Sequence, residues 1–276
     1  MSVEAEVANH YADVDLLSAI EAGVKALGKS STTVSIADLA PVDEFHIGGR
    51  PATTELGERL GLSADMELLD LGCGIGGAAR FFASTFGCRV TGLDLTPGYI
   101  DVARSLTEWT GLADGVQYET GSALDLPFDD GSFDCTTQLH LGMNIAAKAD
   151  LFAEVHRVLR PGSRFGVYDI LRLGAGEIAY PVPWASEAST SFVDDLPTYR
   201  DALEAAGFEV TAERERREFA LAFFDSLRAR MQEQGGPPPL GLHLVMGADA
   251  PQKIANMVDA IAAGTIAPVE IIAQRS

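Results

Sequence analysis

The chain is short of positive charge, of cysteine and of long apolar runs, and each shortage removes a class of function. Its 276 residues carry 20 Lys+Arg against 40 Asp+Glu, a formal charge of −20. Affinity for phosphate polymers comes from basic side chains that displace condensed counterions. No basic stripe exists here: the densest positive run, 214–217, contains Glu215 and is followed by Glu218. Nucleic acid and anionic membrane surfaces are therefore not expected as partners. Three cysteines, Cys73, Cys88 and Cys135, form an odd set without metal-ligand spacing. That argues against a disulfide framework and against a metal site, and it fits a reducing, cytoplasmic setting. No apolar run approaches the roughly 18 residues of a membrane span, and the first residues lack the basic region and apolar stretch of a secretory signal.

What the chain does have is the composition of a folded protein. Hydrophobic residues make up 47% and charged residues 22%, so enough apolar surface is available for one large domain or two small ones. There is no internal repeat. From about residue 66, short β-type runs alternate with helical periodicity, which is the pattern of a sheet covered by helices. The expected strands are 66–71, 89–94, 116–120, 133–139, 164–170, one from Phe208, and 267–273. The helix after the fourth strand places Leu151, Phe152, Val155, Val158 and Leu159 on one face, and Pro161-Gly162 is expected to stop it. Residues 1–60 read as a helical cap with a loop over 41–51. Residues 218–265 read as an inserted helical lid in two stretches around the Gly235–Pro239 turn. The expectation is one compact domain: a cap, then a core over 61–276 that contains the lid. Segments at the carboxyl edge of such a sheet commonly shape the substrate pocket.

The strongest local signal follows the first strand: Leu68-Leu69-Asp70-Leu71-Gly72-Cys73-Gly74-Ile75-Gly76-Gly77. A glycine-rich turn between a strand and a helix suits a nucleotide. Through Gly72, Gly74 and Gly77 it also satisfies the spacing of a dinucleotide-binding loop, and Asp94 stands where a ribose-binding acid belongs in either case. Asp70 separates the two. A carboxylate beside the loop repels a pyrophosphate placed over the helix N-terminus and attracts an ammonium group. S-adenosylmethionine carries an ammonium, a sulfonium and a ribose but no phosphate, so it is the expected cofactor, with S-adenosylhomocysteine as product. Cys73 has no positioned partner that would make it a nucleophile.

At this point the chain resembles the class I S-adenosylmethionine-dependent methyltransferases. Gly92-Leu93-Asp94-Leu95-Thr96 is similar to their second-strand segment, and Gly121-Ser122-Ala123-Leu124-Asp125-Leu126-Pro127-Phe128 to the stretch that lines adenine, with Ser122 where the family usually has Asp. Phe133-Asp134-Cys135 and Val158-Leu159-Arg160-Pro161-Gly162 match the fourth strand and the turn before the fifth. The resemblance spans roughly residues 66–170. It implies a Rossmann-like, doubly wound α/β sheet of seven strands, mostly parallel with the last antiparallel. The cofactor contacts it implies are Asp70, Gly72, Cys73, Gly74, Gly76, Asp94, Leu95, Thr96, Ser122, Ala123 and Leu139.

A narrower likeness is to small-molecule enzymes such as sarcosine/dimethylglycine N-methyltransferases and ubiquinone/menaquinone C-methyltransferases. It rests on Phe45-His46-Ile47-Gly48-Gly49, His140-Leu141-Gly142-Met143-Asn144-Ile145 and Tyr180-Pro181-Val182-Pro183-Trp184. Leu139-His140 stands where that branch has a Gln-His pair. The acceptor it implies is an amine nitrogen of the glycine or sarcosine kind; a carbon or oxygen of a quinone, isoprenoid or other secondary metabolite is the alternative. His140 is the candidate general base, because an imidazole titrates near neutrality. Tyr11, His46, Asn144, Tyr168 and Trp184 are candidate acceptor contacts, and Arg50 reads as a surface residue or a partner for a substrate carboxylate. A nicotinamide-dependent oxidoreductase and a catalytically silent cofactor-binding module are the rival classes. A homodimer is possible.

Overall fold

The computed structural model describes residues 15–276. The candidate Tyr11 lies outside the described residues. Three helices come first: α1 (Leu16–Ala26), α2 (Ile36–Asp43) and α3 (Gly49–Leu60). Local chemistry explains two of their starts. Asp15 caps α1 by accepting the Ser18 N–H, and Ser35 with Asp38 forms a reciprocal capping box on α2. The loop expected over 41–51 shrinks to 44–48. Pro41 sits near the end of α2, and Pro51 occupies the first turn of α3, where a backbone N–H has no intrahelical acceptor in any case.

Seven strands follow: β1 (Glu67–Leu71), β2 (Arg89–Asp94), β3 (Val116–Thr120), β4 (Phe133–Leu139), β5 (Leu159–Arg172), β6 (Phe208–Glu215) and β7 (Ile266–Arg275). They form one sheet in the order β3-β2-β1-β4-β5-β7-β6. The first five run parallel, and β7 is antiparallel to both neighbours. β1 and every residue of β7 up to Ala273 are buried or nearly so, and apart from Glu67, Asp70 and Glu270 they are apolar because both sheet faces are covered. The crossovers are α4 (Gly77–Phe86), α5 (Pro97–Trp109), α6 (Lys148–Val158) and α7 (Leu196–Ala205). α4 ends where Gly87 adopts a left-handed conformation. α6 ends at Val158, and the chain enters β5 directly at Leu159, with a register shift over Pro161-Gly162 where a simple helix stop was expected.

Between β6 and β7 the chain leaves the sheet for α8 (Arg217–Gln234), the short α9 (His243–Met246) and α10 (Ala250–Ala262). α10 and α8 bury Phe224, Met257 and Ile261 in an apolar cluster with Ile47, Met143 and Trp184. Leu240, from the Pro-rich turn, packs with Leu16 and Ile20 of α1. Strand order reverses between β1 and β4, so the carboxyl ends of those two strands open a crevice, and both helical segments stand over it.

One contact fixes how closely the cap approaches the glycine loop. A Cβ added to Gly77 would lie 2.6 Å from the Asp43 carbonyl carbon, where α2 abuts the start of α4. Backbone cannot yield as a side-chain tip can. Gly77→Ala is therefore expected to lower stability by about 1–3 kcal/mol, the usual cost of overpacking; a shift in urea midpoint at unchanged slope measures it.

Candidate functional site

The carboxyl ends of β1, β2 and β4 form the floor of a cavity of about 1430 Å³. Ligand pockets commonly run about 300–1,000 Å³, so this one has room for two molecules. Its lining divides by chemistry. The floor is polar and partly acidic, with Asp70, Asp94, Thr96 and Ser122; the roof contributed by α8 to α10 is largely apolar, with Phe223, Phe224, Met246 and Met257.

The glycine loop is pinned to the end of β2. Gly72 N and Cys73 N donate to the Leu93 carbonyl at 2.8 and 3.1 Å. Asp94 completes the clamp: Oδ2 accepts from Gly74 N and Oδ1 from Thr96 N, both at 2.9 Å. Asp70 is buried to 1% exposure; Oδ1 accepts from Thr137 Oγ1 at 2.8 Å, and Oδ2 has no partner. Burial pushes its pKa up to about 7, against the Thr137 hydrogen bond and with help from the negative Glu44 and Asp94. Burial also raises the Asp94 pKa, against the backbone donors Thr96, Gly74 and Leu95 and the Thr96 hydroxyl. A carboxylate this costly to bury alone is poised for a cation.

His140 follows β4 directly. Its N–H donates to the Tyr168 carbonyl at 2.7 Å, and its φ of +55° lies in the left-handed region, which histidine tolerates better than most side chains. The following turn is held by Asp169, whose Oδ2 accepts from Gly142 N at 2.8 Å, Gln138 Nε2 at 2.6 Å and Tyr199 OH at 2.9 Å. His140 Nε2 is buried without a partner, and burial holds its pKa well below the ordinary histidine value, with His46 adding to the effect. The ring is therefore neutral at pH 7 and can accept a proton. His46 stands edge-on to it at 6.0 Å between centroids. The Thr53 hydroxyl donates to Glu44 Oε2 at 2.6 Å and so accepts from His46 Nε2 at 2.9 Å. Burial lowers the His46 pKa to about 4.

Most of the residues expected from sequence meet in this cavity: Asp70, Gly72, Cys73, Gly74, Asp94, Leu95, Thr96, Ser122, Ala123, Leu139, His140, His46, Asn144 and Trp184 all line it. Ser122 Oγ accepts from Leu124 N at 3.0 Å, which shapes the local turn. Trp184 donates its Nε1–H to Ser191 Oγ at 2.9 Å and leaves its apolar face to the cavity. Two expectations need correcting. Gly76 does not line the cavity; it caps α4 in a left-handed conformation, packed so closely that a Cβ would come within 2.7 Å of the Tyr118 ring. Tyr168 does not line it either. Its ring lies beside those of His140 and His46, at 5.4 and 6.2 Å, as packing support. Arg50 fits neither sequence reading: it is half-buried, paired with Glu44, and stacked on Phe81 at 4.4 Å.

Sequence reasoning missed the buried Asp43–Arg80 pair. Both side chains are fully inaccessible, with Arg80 Nη2 2.8 Å from Asp43 Oδ2. Arg80 Nη1 also donates to the Ile75 carbonyl at 2.9 Å, and so ties α2 to the glycine loop. The available signal was a lone arginine in the apolar run Gly77-Ala78-Ala79-Arg80-Phe81-Phe82. Arg80→Met is expected to cost about 3–5 kcal/mol, because it strands Asp43 in the interior. Chemical denaturation checks this, and a loss under 1 kcal/mol would show that the pair is dispensable.

The comparisons with known proteins agree with this geometry. A family model described as "Methyltransferase domain" matches residues 69–167, from β1 through the glycine loop into β5. That match takes in the glycine loop and the strand ends that form the cavity floor. Methyltransferase GfsG of Streptomyces halstedii is 30% identical to the chain over 176 residues, covering 63% of each protein. The chain thus spans less than two thirds of that relative's length. By fold, the chain is similar to a geranyl diphosphate methyltransferase solved with GPP and sinefungin, at TM-score 0.72 and 19% identity over 99% of both chains. It is also similar to a putative sarcosine dimethylglycine methyltransferase from Galdieria sulphuraria, at TM-score 0.66 and 20% identity over 82% of this chain and 86% of that one. No helix among the described residues is long and apolar enough to cross a membrane.

Proposed function

We propose that the protein transfers a methyl group from S-adenosylmethionine to a small-molecule acceptor held between the floor and the helical roof. The observation that carries this reading is the pair of carboxylates at adjacent strand ends, with Asp70 Oδ2 buried and unpartnered. The floor fits the donor. Asp70 meets an ammonium, the Asp94 carboxylate meets ribose hydroxyls, and Ser122 with Ala123 and Leu124 borders a site for the adenine. A dinucleotide pyrophosphate would instead sit among Asp70, Asp94 and Glu44, where Arg50 is already engaged with Glu44 and does little to offset the repulsion. Bound there, the donor supplies an electrophilic methyl on a sulfonium and leaves as a neutral thioether.

The protein's own contribution is placement, exclusion of water and handling of one proton. Displacement at the methyl requires the acceptor atom in line at about 3–3.5 Å. His140 Nε2 takes the proton that an acceptor oxygen loses as its lone pair forms the new O–C bond and the C–S electron pair returns to sulfur. The proton then passes to solvent after product release. A neutral, weakly basic His140 suits a hydroxyl, whose acidity climbs as the bond forms. It suits an alkylammonium poorly, since that group, at a pKa of about 10.4 as in lysine, must lose its proton before it can attack. A glycine-like acceptor also brings a carboxylate, and the basic side chain at the inner wall, Arg50, is already paired with Glu44 and lies near Asp43. These points favour the oxygen or carbon alternative over the amine nitrogen of the sarcosine kind. Transfer of labelled methyl from the donor tests the choice: the expected result is incorporation into hydroxylated acceptors and none into glycine, sarcosine or dimethylglycine. Turnover confined to the amines would reverse it.

A further inference from the structure

The roof of the cavity carries information that the floor does not. Met143, Trp184, Phe224, Met246 and Met257 line it, and each is under 9% exposed. Four of them, with Ile47 and Ile178, belong to one apolar cluster that joins α8 and α10 to the segment after β5. Four of the chain's six methionines (Met143, Met231, Met246 and Met257) face this one cavity. Methionine is flexible and polarisable, so such a wall moulds itself to apolar shapes without fixing one of them. Three arginines also line the cavity, but away from that wall: Arg50 is paired with Glu44, Arg228 is exposed and paired with Asp225, and Arg230 is exposed. Asp70 and Asp94 on the floor and Glu44 in the 44–48 loop line the inner cavity, where they repel an anion.

We propose that the acceptor is an uncharged lipophilic alcohol or phenol, its apolar body against Met143, Trp184, Phe224, Met246 and Met257 and its hydroxyl at His140. This rests on the donor-and-acceptor reading above and narrows its acceptor class. A phosphorylated or zwitterionic acceptor carried inward past the exposed Arg228 and Arg230 would have to place a charge either against that apolar wall or beside the floor carboxylates, and burying an unpaired charge is costly in both places. Apolar burial alone is worth about 25 cal/mol per Å², so an extended hydrocarbon gains affinity here that a compact amine does not.

The test reads binding, so it does not depend on turnover. With S-adenosylhomocysteine present, Nile red is bound to the protein and displaced by farnesol, 1-dodecanol, farnesyl diphosphate or sarcosine. The two neutral alcohols are expected to displace the dye at concentrations roughly tenfold or more below the other two, a gap of about 1.4 kcal/mol. Met257→Lys sets an unpaired cation in the wall. It is expected to weaken farnesol displacement roughly tenfold or more, while calorimetric affinity for S-adenosylhomocysteine stays within about twofold of the parent. Met257→Gln, a milder change of similar length, should move the same way by less and serves if the lysine variant does not fold. Farnesyl diphosphate or sarcosine displacing the dye as well as the alcohols, or dye binding indifferent to both variants, would overturn the proposal. Loss of S-adenosylhomocysteine binding in the parent protein would instead count against the donor site, and the two failures are told apart within one set of samples.

Discussion

Asp70→Asn is expected to abolish most donor affinity while leaving the free protein at least as stable as the parent. The substitution keeps the side-chain shape and an oxygen for the Thr137 hydroxyl, so the local fold has no reason to change. What it removes is the charge. Truncating one partner of a buried charge pair costs about 2–5 kcal/mol, or roughly thirty- to several-thousand-fold in affinity. In the free protein the same charge is a liability, because Asp70 Oδ2 is buried with no partner and the carboxyl titrates near pH 7 in place of 3.8. Stability conferred by that raised pKa is complete below pH 3.8 and is lost as pH rises through about 7. Donor binding runs the other way. It needs the ionised carboxylate, so affinity should fall about tenfold per pH unit below 7 and level off above it. Both trends should flatten in Asp70→Asn, and subtracting the two profiles cancels the titrations of Glu44, Asp94 and Asp169. An unchanged dissociation constant in the variant would remove Asp70 from the account.

His140→Asn is expected to lower kcat by about 10²–10⁴-fold, the usual worth of a general base, with donor affinity almost unaltered. Asparagine suits this position because it also tolerates a left-handed backbone, so the turn before Gly142 need not rearrange. It cannot take up a proton. At saturating donor the parent should keep a flat kcat across neutral pH, since burial holds the imidazole neutral well below its ordinary titration range, and kcat should fall only in more acid solution. Equal losses in kcat and donor affinity would show that His140 orients the cofactor and does not handle the proton.

The two halves of this site differ in how far the sequence announces them. β2, β3 and β4 begin and end where their β-type runs do; in the edge strand β3 buried Val116 and Tyr118 alternate with exposed Gln117 and Glu119, a pattern written in the residues themselves. Asp70 and Asp94 stand at strand ends beside glycines, where a carboxylate has no core to stabilise and draws notice. Pairings distant in sequence leave no such mark. Asp43 and Arg80 are 37 positions apart and meet only because α2 packs on the start of α4. Asp169 lies inside the apolar run of β5, and nothing in its neighbours shows that it holds the turn after His140. Tyr168, one residue earlier, was expected at the acceptor, but strand alternation turns it to support the His140 ring instead. The methionine-lined roof was hidden for another reason: apolar faces on α8 and α10 look the same whether they cover core or cavity.

Calorimetric titration of the protein with S-adenosylhomocysteine and, separately, with NADPH tests the central claim most directly. The account predicts saturable one-to-one binding of S-adenosylhomocysteine, lost in Asp70→Asn, and no measurable heat from the dinucleotide. Binding of NADPH alone would contradict it, because the carboxylates at the ends of β1 and β2 would then be tolerating the phosphates they are argued to repel.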